Sequence, residues 1–84
     1  MIDEELKAIV AEVAELDAES IDPSLPFTDA GIDSLMAMEI AVDVERRYGL
    51  RFDDDELKRV TSLADLVALT RSALARESPE SHAR

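Results

Sequence analysis

Residues 30–40 read AGIDSLMAMEI, and the rest of the chain is understood by working outward from them. Gly31 permits a tight backbone bend. Asp33 and Ser34 are both residue types that start helices. An apolar-rich run with helical spacing then follows as far as Tyr48. Gly49 fits the left-handed residue that closes such a helix, with Leu50 folding back near Val44. The pattern predicts a helix over Ser34–Tyr48 with Ser34 at its N-terminal end, where a serine commonly serves as the cap.

This helix has two apolar faces. With Leu35 at zero and an advance of about 100° per residue, Ala37, Ile40, Ala41, Val44 and Tyr48 fall on the opposite side and make an adequate buried stripe. Leu35, Met38 and Val42 fall near zero, with Glu39 and Arg46 among them. Three large apolar side chains thus share the face that should meet water. Either the helix is buried all round, or these are scattered exposed residues of the ordinary kind, or they form a strip for docking partners. Methionine suits such a strip because it is flexible and polarisable.

Before Ala30, the stretch MIDEELKAIVAEVAEL reads as a first helix, with Ile2, Leu6, Ile9, Val10, Val13 and Leu16 on one stripe and Asp3 as its cap. From Asp17 to Asp33 the helical pattern stops at Pro23 and Pro26. Ile21, Leu25, Phe27 and Ile32 are expected to pin this long loop to the core. Beyond Gly49, a short helix is expected over about Asp54–Arg59, capped by Asp53 or Asp54. Ser62 and Asp65 then form a capping box for the last helix, LADLVALTRSALAR. The tail ESPESHAR, residues 77–84, is polar and expected to fray. The expectation is an all-α domain over residues 1–76, with three longer helices, one short helix, and the long loop between the first and second.

Composition excludes several functions. The 84 residues make one domain, and 46% of them are apolar. A net charge of −11 argues against nucleic acid and anionic membranes as partners, and for basic protein surfaces. There is no cysteine, so the polypeptide has no thiol of its own. Nothing apolar approaches the roughly 18 residues of a membrane span, and the acidic N-terminus is unlike a signal peptide, so a cytoplasmic, monomeric protein is expected. The run DDDE at 53–56 lacks the alternating ligands and central glycine of a calcium loop and reads as a helix cap. The one histidine, His82, lies in the tail, which leaves Ser34 without a general base and argues against a hydrolase.

Ser34 is therefore either a cap or an attachment point. A helix N-terminus favours negative charge and offers free N–H groups, so a phosphate ester would sit well there. At these residues the sequence resembles the acyl carrier proteins. The likeness lies in FTDAGIDSLMAMEIAVDVERRYGLRF with its Asp33-Ser34-Leu35 core, in Gly31, and in VTSLADLVAL in register. It covers about residues 3–76.

The resemblance implies a four-helix bundle whose Ser34 carries 4′-phosphopantetheine through a phosphodiester, with Asp33 helping to present it to a phosphopantetheinyl transferase. The cofactor thiol would hold acyl groups as thioesters, which answers the missing cysteine. Leu35, Met38, Glu39 and Val42 would face acyl-transferring, condensing and modifying enzymes. The chain itself would not be catalytic. Fatty-acid carriers often have an acidic residue where Met36 stands, and aminoacyl or peptidyl carriers usually have a second glycine where Ile32 stands. These departures point to a carrier for polyketide or related secondary-metabolite synthesis. The start at Met1 and the absence of a flanking linker lead to the expectation of a free-standing carrier, with a module excised from a larger synthase as the alternative. The alternatives are a fatty-acid or aminoacyl carrier, or a cofactor-free helical adaptor that binds proteins through the same strip.

The charge balance carries its own prediction. Twenty acidic residues against nine basic ones share a small surface, and their repulsion is screened within about 8–10 Å near physiological ionic strength. Added salt or magnesium is expected to raise the melting temperature above that in low-salt buffer, and thermal scans in the two conditions check it.

Overall fold

The computed structural model describes residues 2–76. Four helices form: α1 (Ile2–Ala14), α2 (Ser34–Tyr48), α3 (Asp54–Lys58) and α4 (Leu63–Arg76). Two short 3₁₀ turns, Ala18–Ser20 and Phe27–Ala30, lie in the connection between α1 and α2. The bundle and its element order are those expected. Met1 and the tail with His82 lie outside the described residues.

Helix α1 buries Leu6, Ile9 and Val10 and packs against both α2 and α4. It is shorter than its stripe suggests. Glu15 takes a left-handed φ of 57°, and the Leu16 N–H turns back to the Ala11 carbonyl at 2.9 Å. Asp3 is not the cap, because the helix already includes Ile2. Its carboxylate is instead paired with Arg71 on α4, on the surface. Exposed pairs of this kind contribute little to stability.

Helix α2 has the two faces counted in the sequence. Ile40, Ala41 and Val44 are buried, and Ala37 and Tyr48 are half-buried. Leu35 is 70% exposed, Met38 56% and Val42 38%, so the helix is not buried all round. Gly49 is left-handed at φ 65°, and the Leu50 N–H joins the Glu45 carbonyl at 2.9 Å. Leu50 thereby enters the core that holds Val44.

The long connection is fastened at its middle. Phe27 and Ile32 are buried and Ile21 is half-buried, but Leu25 is exposed and does not pin the loop as expected. Backbone bonds do that work instead. The Phe27 N–H donates to the Thr61 carbonyl at 2.7 Å, and the Ala64 N–H donates to the Pro23 carbonyl at 2.9 Å. The second bond satisfies one of the free N–H groups of the first turn of α4. Asp22 accepts from the Ser24 N–H and hydroxyl at 3.0 and 2.9 Å, and these bonds hold its carboxyl below the usual range.

The caps of α3 and α4 are resolved more finely than the sequence allowed. Asp53 rather than Asp54 precedes α3, and its N–H donates to Glu56 Oε1 at 2.9 Å. Before α4, Ser62 Oγ accepts the Asp65 N–H at 3.3 Å. The Asp65 carboxylate reaches back one residue further than a capping box requires, to the N–H and hydroxyl of Thr61 at 3.0 and 2.9 Å. Thr70 is fully buried on α4, where the apolar pattern has a gap. Its hydroxyl donates to the Leu66 carbonyl at 2.8 Å.

Tyr48 donates its phenolic O–H to Glu5, joining the end of α2 to the start of α1. Burial, the hydrogen bond and the charge of Glu5 together push the Tyr48 hydroxyl from its ordinary 10 up to about 12, against a smaller opposing effect of Arg47. A raised value in the fold means a contribution present in full below pH 10 and lost as pH climbs from 10 to 12. Tyr48→Phe is expected to be less stable than wild type at neutral pH and to show a flatter decline across that window, as read by denaturation at a series of pH values.

Candidate attachment site at the start of helix 2

Gly31 ends the second 3₁₀ turn at φ 83°, a conformation that side chains other than glycine's rarely adopt. The bend lets the Ile32 N–H return to the Phe27 carbonyl at 2.9 Å and sends the Ile32 side chain into the core. Asp33 follows in an extended conformation and caps α2. Its Oδ1 accepts the Met36 N–H at 2.9 Å, and its carbonyl accepts the Ala37 N–H at the same distance.

Ser34 is therefore not the cap. It is the first helical residue, and its side chain is exposed beside the free N–H groups of the first turn. Capping and presentation fall to neighbouring residues. The Asp33 carboxylate is engaged with the backbone, and the Ser34 side chain is left exposed.

Ser34 also lines a half-open cleft of about 500 Å³. Its walls are Phe27, Ile40, Ala41, Leu57, Val60 and Leu66, so the interior is apolar. Met38 stands at the rim, both lining the cleft and exposed. Asp54 and Lys58 add polar groups from α3. Of these α3 residues the sequence reading names only Asp54, as a helix cap, and assigns none of them to the site. Their signal was the spacing of Asp54, Leu57 and Lys58, which places all three on one helical face. Leu35, Glu39 and Val42 are exposed on α2, as expected, and Met38 links their strip to the cleft.

The other candidates resolve differently. The Glu56 carboxylate is held below its ordinary range, first by the Asp53 N–H and also by Arg76, whose Nη1 lies 3.1 Å from it. It thus serves α3 and α4. Among the described residues, no cluster of three or more His, Asp or Glu side chains is arranged to hold a metal ion.

Residues 4–70 match the phosphopantetheine attachment site family. The chain belongs to this family. It is 40% identical over 72 residues to polyketide-8 synthase acyl carrier protein 2 of Streptomyces avermitilis, covering 84% of this chain and 83% of that one. It is 38% identical over 68 residues to the non-reducing polyketide synthase pks11 of Talaromyces marneffei, where it spans only 3% of the relative's length. Among solved structures, the hexanoyl carrier protein of the actinorhodin polyketide synthase from Streptomyces coelicolor superposes with a TM-score of 0.78 at 35% identity. That match covers 87% of this chain and 90% of the other.

Members of the family carry phosphopantetheine covalently, and the chain is a carrier rather than a catalyst. The residues present fit such a group. An exposed hydroxyl at a helix N-terminus suits a phosphate ester, and the apolar cleft beside it can shelter an attached chain.

The division between Asp33 and Ser34 is measurable. Asp33→Ala removes the cap and is expected to cost about 1 kcal/mol in chemical denaturation. Ser34→Ala alters an exposed first-turn residue and is expected to stay within about 0.5 kcal/mol of wild type. Equal losses from the two would contradict the assignment of the cap.

Proposed function

We propose that this protein carries acyl intermediates of polyketide assembly on a 4′-phosphopantetheine arm attached to Ser34. The observation that carries this reading is the exposed Ser34 side chain in the first turn of α2, released from capping by Asp33 and opening on an apolar cleft. The carrier proteins of polyketide synthases among its relatives support the choice of pathway.

In this role Ser34 Oγ is a passive anchor, and a phosphopantetheinyl transferase drawing on coenzyme A and magnesium supplies the catalysis. When bound, the arm provides the thiol that holds acyl groups as thioesters. The chain's own residues do the rest. Asp33 fixes the start of α2 and hence the direction of the Ser34 side chain. The first-turn N–H groups favour the negative phosphodiester. Leu35, Met38 and Val42 offer an apolar strip to synthase enzymes, and Glu39 beside them steers basic docking surfaces towards it. Partners of this kind meet a monomeric carrier in the cytoplasm. The domain extends over residues 1–76, with residues 77–84 as an appended polar tail.

Incubation with coenzyme A, magnesium and a promiscuous transferase, followed by intact mass measurement, tests the assignment. Wild type is expected to gain one phosphopantetheine, and Ser34→Ala none. A modified Ser34→Ala protein would place the attachment elsewhere.

A further inference from the structure

The cleft beside Ser34 is apolar except at one edge. Asp54 and Lys58 stand one helical turn apart on α3 and both line it. A carboxylate can only accept hydrogen bonds, whereas an ammonium donates three. Once the Ser34 hydroxyl is esterified, Lys58 brings the only side-chain donor among the residues lining the cleft. Among the described residues it has no ion-pair partner. The two ion pairs among the described residues, Arg71 with Asp3 and Arg76 with Glu56, both use arginine and leave Lys58 out. Its long flexible stem lets the head follow an acceptor while the methylenes cover apolar wall.

These facts bear on what the cleft can hold. A saturated acyl chain gains by burial anywhere along the apolar walls. A chain bearing ketone oxygens loses hydration on entering and is strongly penalised unless a donor meets it. We propose that Lys58 is the cargo-selecting residue of this carrier: its ammonium donates to the ketone oxygens of β-keto acyl chains lodged in the cleft, so that oxygenated chains are sheltered there. The inference rests on the attachment of the arm at Ser34. It adds a preference for oxygenated cargo and the residue that sets it.

The protein is loaded with pantetheine arms that are bare, hexanoyl or β-ketohexanoyl, and intact mass confirms each loading. Backbone amide resonances of Ala41, Leu57 and Val60 report occupation of the cleft, and the Lys58 side-chain resonance reports its bonding. Both acyl chains are expected to shift the cleft amides, but only the β-ketohexanoyl chain should move the Lys58 ammonium signal. Lys58→Met keeps the stem and removes the donor. It should abolish most of the β-ketohexanoyl shifts while leaving the hexanoyl shifts in place, and Lys58→Arg should restore them.

Unchanged β-ketohexanoyl shifts in Lys58→Met would overturn the proposal. An equal movement of the Lys58 signal with the bare arm would also overturn it, assigning the ammonium to the phosphodiester instead. A missing mass gain would overturn the Ser34 reading itself, and this inference with it.

Discussion

Phe27 is the residue through which the loop, the start of α2 and the start of α4 are held together. Its ring is buried, 6% exposed, in the common core. Its N–H is bound to the Thr61 carbonyl at 2.7 Å, just before α4, and its carbonyl receives the Ile32 N–H at 2.9 Å. Two hydrogen bonds and one buried ring thus fix where the chain emerges as Asp33 and Ser34. Without that anchor the connection would be a long proline-containing loop with little reason to present its serine in one place. The same ring forms part of the cleft wall, so the position of Ser34 and the shape of the space beside it are set together.

Periodicity made much of this legible. The two faces of α2 follow from rotation per residue alone, which is why Ile40 and Val44 proved buried and Leu35 and Met38 exposed. Gly49 was equally plain, because a left-handed closing residue strongly favours glycine. Which of Asp33 and Ser34 caps α2 is left open by the sequence for a definable reason. Both residue types cap well, and propensity does not resolve a helix start to a single position. Asp3 was misplaced by the same one- or two-residue uncertainty. Leu25 has the apolar character of an anchor, but that character does not by itself require burial, and Leu25 is exposed. The cleft was invisible for another reason. Its walls come from the loop, α2, α3 and α4, and no single window of sequence contains them.

The acidity of the chain is not spread at random. Asp3, Glu4 and Glu5 occupy the first turn of α1, Asp54, Asp55 and Glu56 that of α3, and Asp65 that of α4. Each meets the positive end of a helix dipole. The Asp65 carboxyl is held below its ordinary range chiefly by the Thr61 N–H, and the Glu56 carboxyl by that of Asp53. Much of the negative charge therefore stabilises helix starts before it serves any partner. The first turn of α2 has no acidic side chain. There the carboxylate comes from the cap instead, Asp33, which accepts the Met36 N–H.

Helix α3 has five residues, far fewer than the roughly 12 at which isolated helices become even marginal in water. The close helix contacts of the bundle are those of α1 with α2 and α4, and α3 stands outside them. It is kept in place by the Asp53–Glu56 cap, by Leu57 packed against the core, and by the Glu56–Arg76 ion pair. Unravelling α3 therefore breaks few bonds and leaves the framework of α1, α2 and α4 intact. One wall of the cleft is thus upholstery on a frame, and it can shift without disturbing the exposed face of α2 that carries Leu35, Met38 and Val42.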